Sequence, residues 1–246
     1  MEISPYYKIK CVFAGEAGVG KTSMTSLIHN DKCVTDPEST IGLAFIATQL
    51  SLKEYPLSNP TNLPKYYYEM KEDWVTTQEE TQDNQIVGLH VWDTAGNARF
   101  FSIIQTYLRD VDVCFLVFDI TDKSSWDHLP KWKEEVEKYN NSTLFVIVAT
   151  KSDLRNHQVL PNEIKERAQR WGAKYYITSS FQANSASLIR SMIYKSVKNY
   201  HDNLLHLYND NKKLPNHVTF SHYNKKVIKY LDLAAEPNQN LCCVIN

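Results

Sequence analysis

Glycine is scarce in this 246-residue sequence, where it occurs only seven times. Five of the seven fall in three short stretches, at Gly15, Gly18, Gly20, Gly42 and Gly96. Glycine is needed where the backbone takes a positive φ or approaches a ligand closely. The three stretches are therefore the first candidates for functional loops.

The sequence also lacks an excess of either charge, with a formal net charge of −1 and a pI of about 6.7. We expect no nucleic-acid partner, because such binding requires a basic surface that displaces counterions from phosphates. No apolar run of about 18 residues is present, so we expect no membrane-spanning helix. Residues 1–7 lack the basic-then-apolar order of a secretory signal, which favours a cytoplasmic protein.

Apolar and amphipathic segments alternate along the chain. Predicted strands cover 7–14, 43–52, 86–92, 111–119, 143–150 and 174–178, and predicted helices cover 21–29, 124–139, 161–171 and 186–200. This alternation favours an α/β fold, a mostly parallel sheet with helices on both faces. The nearly continuous apolar runs at 111–119 and 143–150 are typical of strands covered on both faces.

Two segments lie outside this pattern. Residues 53–85 contain three prolines and no glycine. We interpret this segment as an insertion in a surface loop, which costs little stability. The alternative is a docking element for a partner, built on its aromatic residues. Residues 201–246 are polar and rich in asparagine. We expect a domain over residues 1–200 with an insertion at about 53–85, followed by a flexible tail over 201–246.

A phosphate-binding motif follows the first predicted strand. Residues 15–22 match GxxxxGK[ST] and open a predicted helix. Backbone N–H groups in such a loop surround phosphates, Lys21 reaches the β- and γ-phosphate oxygens, and the Thr22 hydroxyl binds Mg²⁺. The predicted contacts are Gly15, Ala17, Gly18, Val19, Gly20, Lys21, Thr22 and Ser23. The alternative is a chance glycine-rich turn, and the motif alone does not distinguish ATP from GTP.

Four further short stretches follow the phosphate motif along the chain, and their order matters for the interpretation. They are Ser39-Thr40-Ile41-Gly42, Trp92-Asp93-Thr94-Ala95-Gly96, Thr150-Lys151-Ser152-Asp153 and Thr178-Ser179-Ser180. With the phosphate motif they resemble the Ras superfamily of small GTPases, and within it the Rab branch, from residue 7 to about 200. The resemblance implies a P-loop GTPase fold, with a six-stranded, mostly parallel sheet flanked by about five helices on both faces.

The resemblance also implies roles at the phosphate end of the site. The stretch Ser39-Thr40-Ile41-Gly42 resembles the family's first switch, in which Thr40 binds Mg²⁺ and senses the γ-phosphate. The stretch Trp92-Asp93-Thr94-Ala95-Gly96 resembles the second switch, in which Asp93 holds Mg²⁺ through a water molecule and the Gly96 N–H contacts the γ-phosphate. Lys21, Thr40 and Gly96 are the expected contributors to hydrolysis, together with Asn97.

The last two stretches, the base-reading stretches, resemble the family's guanine-reading sequence (150–153) and the loop whose backbone reads the guanine carbonyl (178–180). The residues expected there are Thr150, Lys151, Asp153, Ser179 and Ser180. The Asp153 carboxylate is placed to accept hydrogen bonds from guanine N1–H and the 2-amino group. Adenine offers neither donor, and buried unpaired acceptors would reject it. GTP and GDP, with Mg²⁺, are therefore the expected ligands.

Three aromatic residues match the Rab effector surface, namely Phe45, Trp92 and Tyr107. Taken singly, each of these aromatic residues is more often a core-packing residue than a recognition residue. The resemblance implies a GTP/GDP-dependent switch that recruits effector proteins in vesicle trafficking, with an exchange factor. The chain has no obvious arginine supplied in cis for phosphoryl transfer, so an external GTPase-activating protein is also expected.

Departures from the family pattern predict altered kinetics. Asn97 replaces the glutamine that orients the attacking water, and this predicts slow intrinsic hydrolysis. Cys33 stands seven residues before Thr40, where the family has an aromatic residue that covers the guanine, and this predicts fast GDP release. Thr150 replaces asparagine, and Ser180 replaces alanine. An alternative function is a nucleotide-binding scaffold that hardly cycles, and a more distant one is a P-loop kinase or ATPase.

The chain ends in Cys242-Cys243-Val-Ile-Asn246. This resembles the double-cysteine ending of Rab proteins that receive two geranylgeranyl groups. Two lipids matter because a single chain anchors a protein only marginally. The ending implies prenylation machinery and a GDP-dissociation inhibitor as partners. It also implies attachment to the cytosolic face of an endomembrane or the plasma membrane; the alternative is two ordinary thiols on a frayed end.

Overall fold

The computed structural model describes residues 8–29, 33, 40, 42–52, 86–182, 184–209 and 242–245. The strands there are β1 (Lys8–Ala14), β2 (Leu43–Ser51), β3 (Ile86–Thr94), β4 (Val113–Asp119), β5 (Leu144–Thr150), β6 (Lys174–Ile177) and β7 (Cys242–Ile245). The helices are α1 (Lys21–His29), α2 (Phe101–Tyr107), α3 (Lys123–Asp127), α4 (Leu129–Glu137), α5 (Pro161–Trp171) and α6 (Ser185–Asn209), and a 3-10 turn covers Ala98–Phe100. The insertion at 53–85, most of the first switch and nearly all of the tail lie outside the described residues.

The strands form one sheet in the order β6-β5-β4-β1-β3-β2-β7. Neighbours from β6 to β3 run parallel, whereas β2 is antiparallel to β3. This confirms the predicted α/β class with six mostly parallel strands. The short β7 was not predicted, and it pairs antiparallel with β2 at the sheet edge. Pairing there satisfies backbone groups that an edge strand otherwise leaves open.

Two apolar layers enclose the sheet because side chains alternate along each strand. In β1, Ile9, Cys11 and Phe13 face the layer formed with α1 and α6. Val12 and Ala14 face the opposite layer, formed with α2 to α5. Every residue of β4 is buried, as the continuous apolar run predicts for a central strand covered on both faces.

The single helix predicted over 124–139 is wrong, because the structure has two helices that meet at His128. Pro130 lies in the first turn of α4. Proline has no N–H to donate and clashes inside a helix, but its fixed φ suits a helix start. The chain therefore ends α3 and begins α4 there. Counted together, α3 and α4 occupy the place of one predicted helix, and about five helices flank the sheet as expected.

The last helix is longer than predicted, since α6 continues nine residues beyond Tyr200. His201 and Leu204 are buried, so the apolar face of the helix continues past the expected end. Tyr200 fastens this helix to the sheet: its hydroxyl donates to Asp112 Oδ1 at 2.5 Å, and Asp112 Oδ2 accepts from the Lys10 N–H at 2.7 Å. Polar composition alone predicts a helix end at residue 200, but the burial of His201 and Leu204 extends the helix beyond it.

The carboxyl ends of β1, β3, β5 and β6 lie at the same edge of the sheet because these strands run parallel. Ligands bind at this edge in open α/β sheets. The phosphate motif, the second switch and both base-reading stretches follow these strands directly. The topology therefore brings segments far apart in sequence to one site.

Candidate nucleotide-binding site

The phosphate loop between β1 and α1 is packed closely against β4. A Cβ atom on Gly15 would lie 2.1 Å from the Val117 carbonyl oxygen, so only glycine fits there. Ala17 and Gly18 are exposed at the rim, whereas Val19 and Ser23 are buried beneath it. The first turn of α1 begins here, with the Met24 N–H donating to the Gly20 carbonyl at 3.1 Å.

Lys21 extends back into the loop that precedes it. Its Nζ donates to the carbonyls of Gly15 at 2.8 Å and Glu16 at 2.6 Å. Burial lowers the pKa of Lys21 to about 8, and the nearby carboxylates of Asp93 and Glu16 oppose this shift. The ammonium group of Lys21 is thus buried at the centre of the phosphate loop, and its contact with phosphate oxygens stays a prediction of the motif.

Three oxygen-bearing side chains converge beside this lysine. The Thr22 hydroxyl donates to Asp93 Oδ2 at 2.6 Å and lies 2.8 Å from the Thr40 hydroxyl. Asp93 is buried, and its Oδ1 has no hydrogen-bond partner among the described residues. Burial raises the pKa of Asp93, against the opposing hydrogen bond from Thr22 and the charge of Lys21.

These oxygens fit a magnesium ion. Magnesium takes hard oxygen ligands and is held by one or two carboxylates together with substrate phosphates. The described residues contain no group of three or more His, Cys, Asp or Glu side chains that would form a protein-only metal cage. Thr22, Thr40 and Asp93 would therefore hold the ion only in part, and phosphate oxygens would complete its ligands.

The second switch begins in contact with the phosphate loop. A Cβ atom on Gly96 would lie 2.1 Å from the Ala17 nitrogen and 2.2 Å from the Glu16 carbonyl carbon. The Ala95 N–H also donates to the Gly42 carbonyl at 2.9 Å. The two switches are thus joined through their backbones. Gly96 lies against the phosphate loop, beside which its N–H is predicted to contact the γ-phosphate.

Asn97 is exposed at the start of the 3-10 turn. Its Oδ1 accepts a hydrogen bond from the Arg99 N–H at 3.1 Å. Part of the short amide is therefore engaged with its own turn, an arrangement typical of asparagine.

The base-reading stretches are linked to the phosphate loop by a buried hydroxyl. Thr150 Oγ1 lies 2.6 Å from the Val19 carbonyl oxygen and 2.9 Å from that of Phe118. The Ser152 N–H donates to the Thr178 carbonyl at 3.2 Å, so both base-reading stretches meet. Asp153 is exposed at this rim, Ser179 is buried, and Ser180 is partly buried.

Asp119 was missed by the sequence interpretation. It ends the apolar strand β4, and its carboxylate lies 2.6 Å from Lys151 Nζ. Burial works against the ionised form, but hydrogen bonds from Lys151 and Thr121 outweigh it and lower the pKa of Asp119. Lys151 has a φ of +58° and is held in place by this ion pair. An acidic residue closing an otherwise apolar run was the available signal.

Cys33 lies against the base side of the site. Its thiol donates to the Ser23 carbonyl at 3.8 Å, and the side chain packs on the core layer that contains α1. Burial raises the pKa of the Cys33 thiol, against hydrogen bonds with Ser23 and Ser180. The thiol is therefore a small packing group here.

The three predicted effector residues form one aromatic cluster. Phe45 and Trp92 face each other across β2 and β3 with ring centroids 4.6 Å apart, and Trp92 and Tyr107 are 4.8 Å apart. His90 adds an edge-on contact with Phe45 at 5.1 Å. The structure therefore brings together all three residues, which are partly exposed.

The terminal cysteines lie in β7. Cys242 pairs with Ile46 and Cys243 with Phe45 along β2. The rest of the tail lies outside the described residues. Among the residues that the structure describes, no helix has the length and apolar character needed to cross a membrane.

Comparison with known proteins agrees with this geometry. The model of the Ras family matches residues 64–213, more than half of the chain, including the second switch and both base-reading stretches. Over 197 residues the chain is 26% identical to Ras-related protein RABA4b of Arabidopsis thaliana, covering 78% of this chain and 75% of that protein. Over 195 residues it is 27% identical to RABA4a of the same plant, covering 78% and 73%.

Ras-related protein Rab11A of Lotus japonicus gives a similar result. The chain is 27% identical to it over 181 residues, covering 73% of this chain and 67% of that protein. The family match confirms the resemblance that the motifs carry. The chain therefore belongs to the Ras family of small GTPases, as a Rab-like member that binds guanine nucleotide and is a GTP hydrolase.

Proposed function

We propose that this protein is a magnesium-dependent GTP/GDP switch whose two switch segments respond to the γ-phosphate. The observation that carries the proposal is the convergence of Thr22, Thr40 and Asp93 next to the loop that encloses Lys21. Thr40 comes from the first switch, and Asp93 leads into the second. A ligand that engages both therefore biases both segments at once.

Different residues of the chain bind the phosphates, the magnesium ion and the base of the nucleotide. The phosphate loop and Lys21 neutralise the phosphates. Thr22, Thr40 and Asp93 would hold Mg²⁺, which would supply further charge neutralisation. Asp153 accepts hydrogen bonds from the guanine donors, while Ser179 and Ser180 contribute from the other base-reading stretch. Catalysis in such a site consists of positioning and electrostatic stabilisation.

We further propose that intrinsic hydrolysis is slow. Asn97 is one methylene shorter than the glutamine it replaces, and its oxygen already accepts from Arg99. A misplacement of about 1 Å costs roughly 100-fold in rate. A GTPase-activating protein is the regulator that slow hydrolysis requires, and an exchange factor is the partner proposed for the return from GDP to GTP. The hydrogen bond at Asn97 also favours the second candidate function, a nucleotide-binding scaffold that hardly cycles.

Effector recruitment and membrane attachment complete the proposal. The cluster of Phe45, Trp92 and Tyr107 offers a partly exposed aromatic surface that touches β2, β3 and α2. Aromatic residues are frequent anchors of protein interfaces. Cys242 and Cys243 are proposed prenylation sites, through which the protein would reach a cytosolic membrane face with a GDP-dissociation inhibitor as its carrier, and there act in vesicle trafficking.

The experiment compares Thr40→Ala with Thr48→Ala, a control on β2 at the partly buried position opposite Leu89. Affinities for GDP and GTP are measured with Mg²⁺ and with EDTA. Thr40→Ala should weaken GTP more than GDP, and only in Mg²⁺, whereas Thr48→Ala should match the unaltered protein. Equal loss of both nucleotides, or no loss, would contradict the switch. Multiple-turnover hydrolysis then separates the switch from the scaffold.

A further inference from the structure

Phe181 is a large apolar side chain left in solvent at the base side of the site, with 57% of its surface exposed. Single exposed apolar residues are common on protein surfaces. Its position distinguishes this one, because it directly follows Ser179 and Ser180, the stretch assigned to the guanine carbonyl. An aromatic ring at this position therefore lies next to the residues expected to read the base.

The backbone that carries Phe181 is held firmly. Its N–H donates to Ser179 Oγ at 3.0 Å, and the Thr178 N–H donates to the Ala149 carbonyl at 2.8 Å. On the other side of Phe181, the Ser185 hydroxyl donates to the Gln182 carbonyl at 2.6 Å and closes the loop onto α6. The ring is therefore presented from a fixed loop, which reduces the entropy lost when it orders against a ligand.

Cys33 lies across the same rim, in hydrogen-bonding contact with Ser180. Cys33 stands where the resemblance places an aromatic residue over the guanine. A thiol packed on the core has no ring to offer, so one face of the base would lack its usual cover. Phe181 directly follows Ser180, the residue that Cys33 contacts, so it brings an aromatic ring next to that contact in sequence.

We propose that Phe181 packs on the guanine base of the bound nucleotide and supplies the aromatic cover that Cys33 lacks. This inference rests on the proposed nucleotide site and adds a residue to it. Stacking on a base is tolerant of base identity because every base has a π-face. Phe181 therefore slows nucleotide release, while the choice of guanine stays with Asp153.

The test measures GDP release from the full chain after loading with fluorescent GDP in Mg²⁺. Phe181→Ala should release GDP about fivefold to tenfold faster, and Phe181→Tyr should keep the original rate. Leu160→Ala is the matched control, since Leu160 is a 62% exposed apolar side chain at the start of α5. Adding Cys33→Phe to Phe181→Ala should slow release again, because it restores an aromatic group to the same rim.

A spectroscopic measurement reports the contact itself. The guanine H8 resonance of bound GDP should show a ring-current shift that Phe181→Ala removes and Leu160→Ala leaves in place. An unchanged release rate and an unchanged H8 shift in Phe181→Ala would overturn the inference. If the unaltered chain fails to bind GDP at all, the proposed function fails instead, so the two failures are distinguishable.

Discussion

The hydroxyl of Thr22 donates a 2.6 Å hydrogen bond to Asp93 Oδ2, and this bond joins the first turn of α1 to the carboxyl end of β3. The other oxygen of Asp93 is buried without a hydrogen-bond partner among the described residues. A buried acceptor left unpaired costs stability. A ligand that brings a cation, or a water molecule bound to it, would satisfy this unpaired oxygen of Asp93.

Replacing Asp93 with asparagine should remove most of the magnesium dependence of GDP binding. The neutral amide keeps the shape of the side chain but loses the charge that attracts the ion. In Mg²⁺, GDP release should quicken by about tenfold towards the rate in EDTA. Asp127→Asn, an exposed substitution on α3, is the control and should retain the full response to EDTA.

Asn97→Gln should raise the rate of single-turnover GTP hydrolysis. The added methylene moves the amide towards the attacking water and frees it from the Arg99 N–H. The expected gain is at least several-fold, with roughly 100-fold as the ceiling for correcting a 1 Å misplacement. Asn162→Gln on the exposed surface of α5 should change nothing. No gain from Asn97→Gln would show that water positioning is not what limits the chain.

Gly96→Ala should weaken nucleotide binding, because the new methyl group would displace the backbone of Glu16 and Ala17. Gly172→Ala is a demanding control: Gly172 has a φ of +60°, so alanine is strained there, but open space surrounds it. Both variants should lose stability by about 1 kcal/mol or more. Only Gly96→Ala should lower the affinity for GTP in titrations, and equal affinities in the two variants would refute the contact.

His201 should make the protein less stable in mild acid. Burial lowers its pKa to about 4, with Asp202 opposing the shift and Lys198 adding to it. In the unfolded chain, His201 binds a proton near pH 6.5, whereas in the folded chain it binds one only near pH 4. Stability is therefore complete above about pH 6.5 and is lost as the pH falls towards 4.

The contribution of His201 amounts to about 2 kcal/mol between pH 7 and pH 5. His201→Gln keeps a polar side chain that does not titrate. Urea unfolding at saturating GDP should show a flatter fall with acid in this variant than in the unaltered chain. Parallel falls would mean that other groups govern the acid response.

The succession of strands along the chain and the position of the phosphate loop were predictable because both depend on local signals. Buried strands such as β4 and β5 appear as unbroken apolar runs, and the loop before Lys21 carries its own glycine pattern. The resemblance to small GTPases assigned Asp93 and Asp153 to the same site, and the parallel run of β3 and β5 brings both residues to one edge of the sheet. The contacts of Thr22 with Asp93 and Thr40 then follow that placement.

Features set by tertiary contacts were not predictable in the same way. The break at His128 depends on where Pro130 falls within a helical period, and the extension of α6 depends on the burial of Leu204. Strand β7 pairs with a partner almost 200 residues away in sequence, which no local pattern reports. Asp119 gains its role only through Lys151. The insertion and the first switch before Thr40 remain predictions.

The central claim is that Asp153 and the loop around Lys21 hold opposite ends of one guanine nucleotide. Competition against fluorescent GDP on the purified chain, with and without Mg²⁺, measures this most directly. We expect unlabelled GDP and GTP to displace the probe, ATP to leave it bound, and GTP to lose affinity when Mg²⁺ is removed. Displacement by ATP, or a chain that binds no probe, would contradict it.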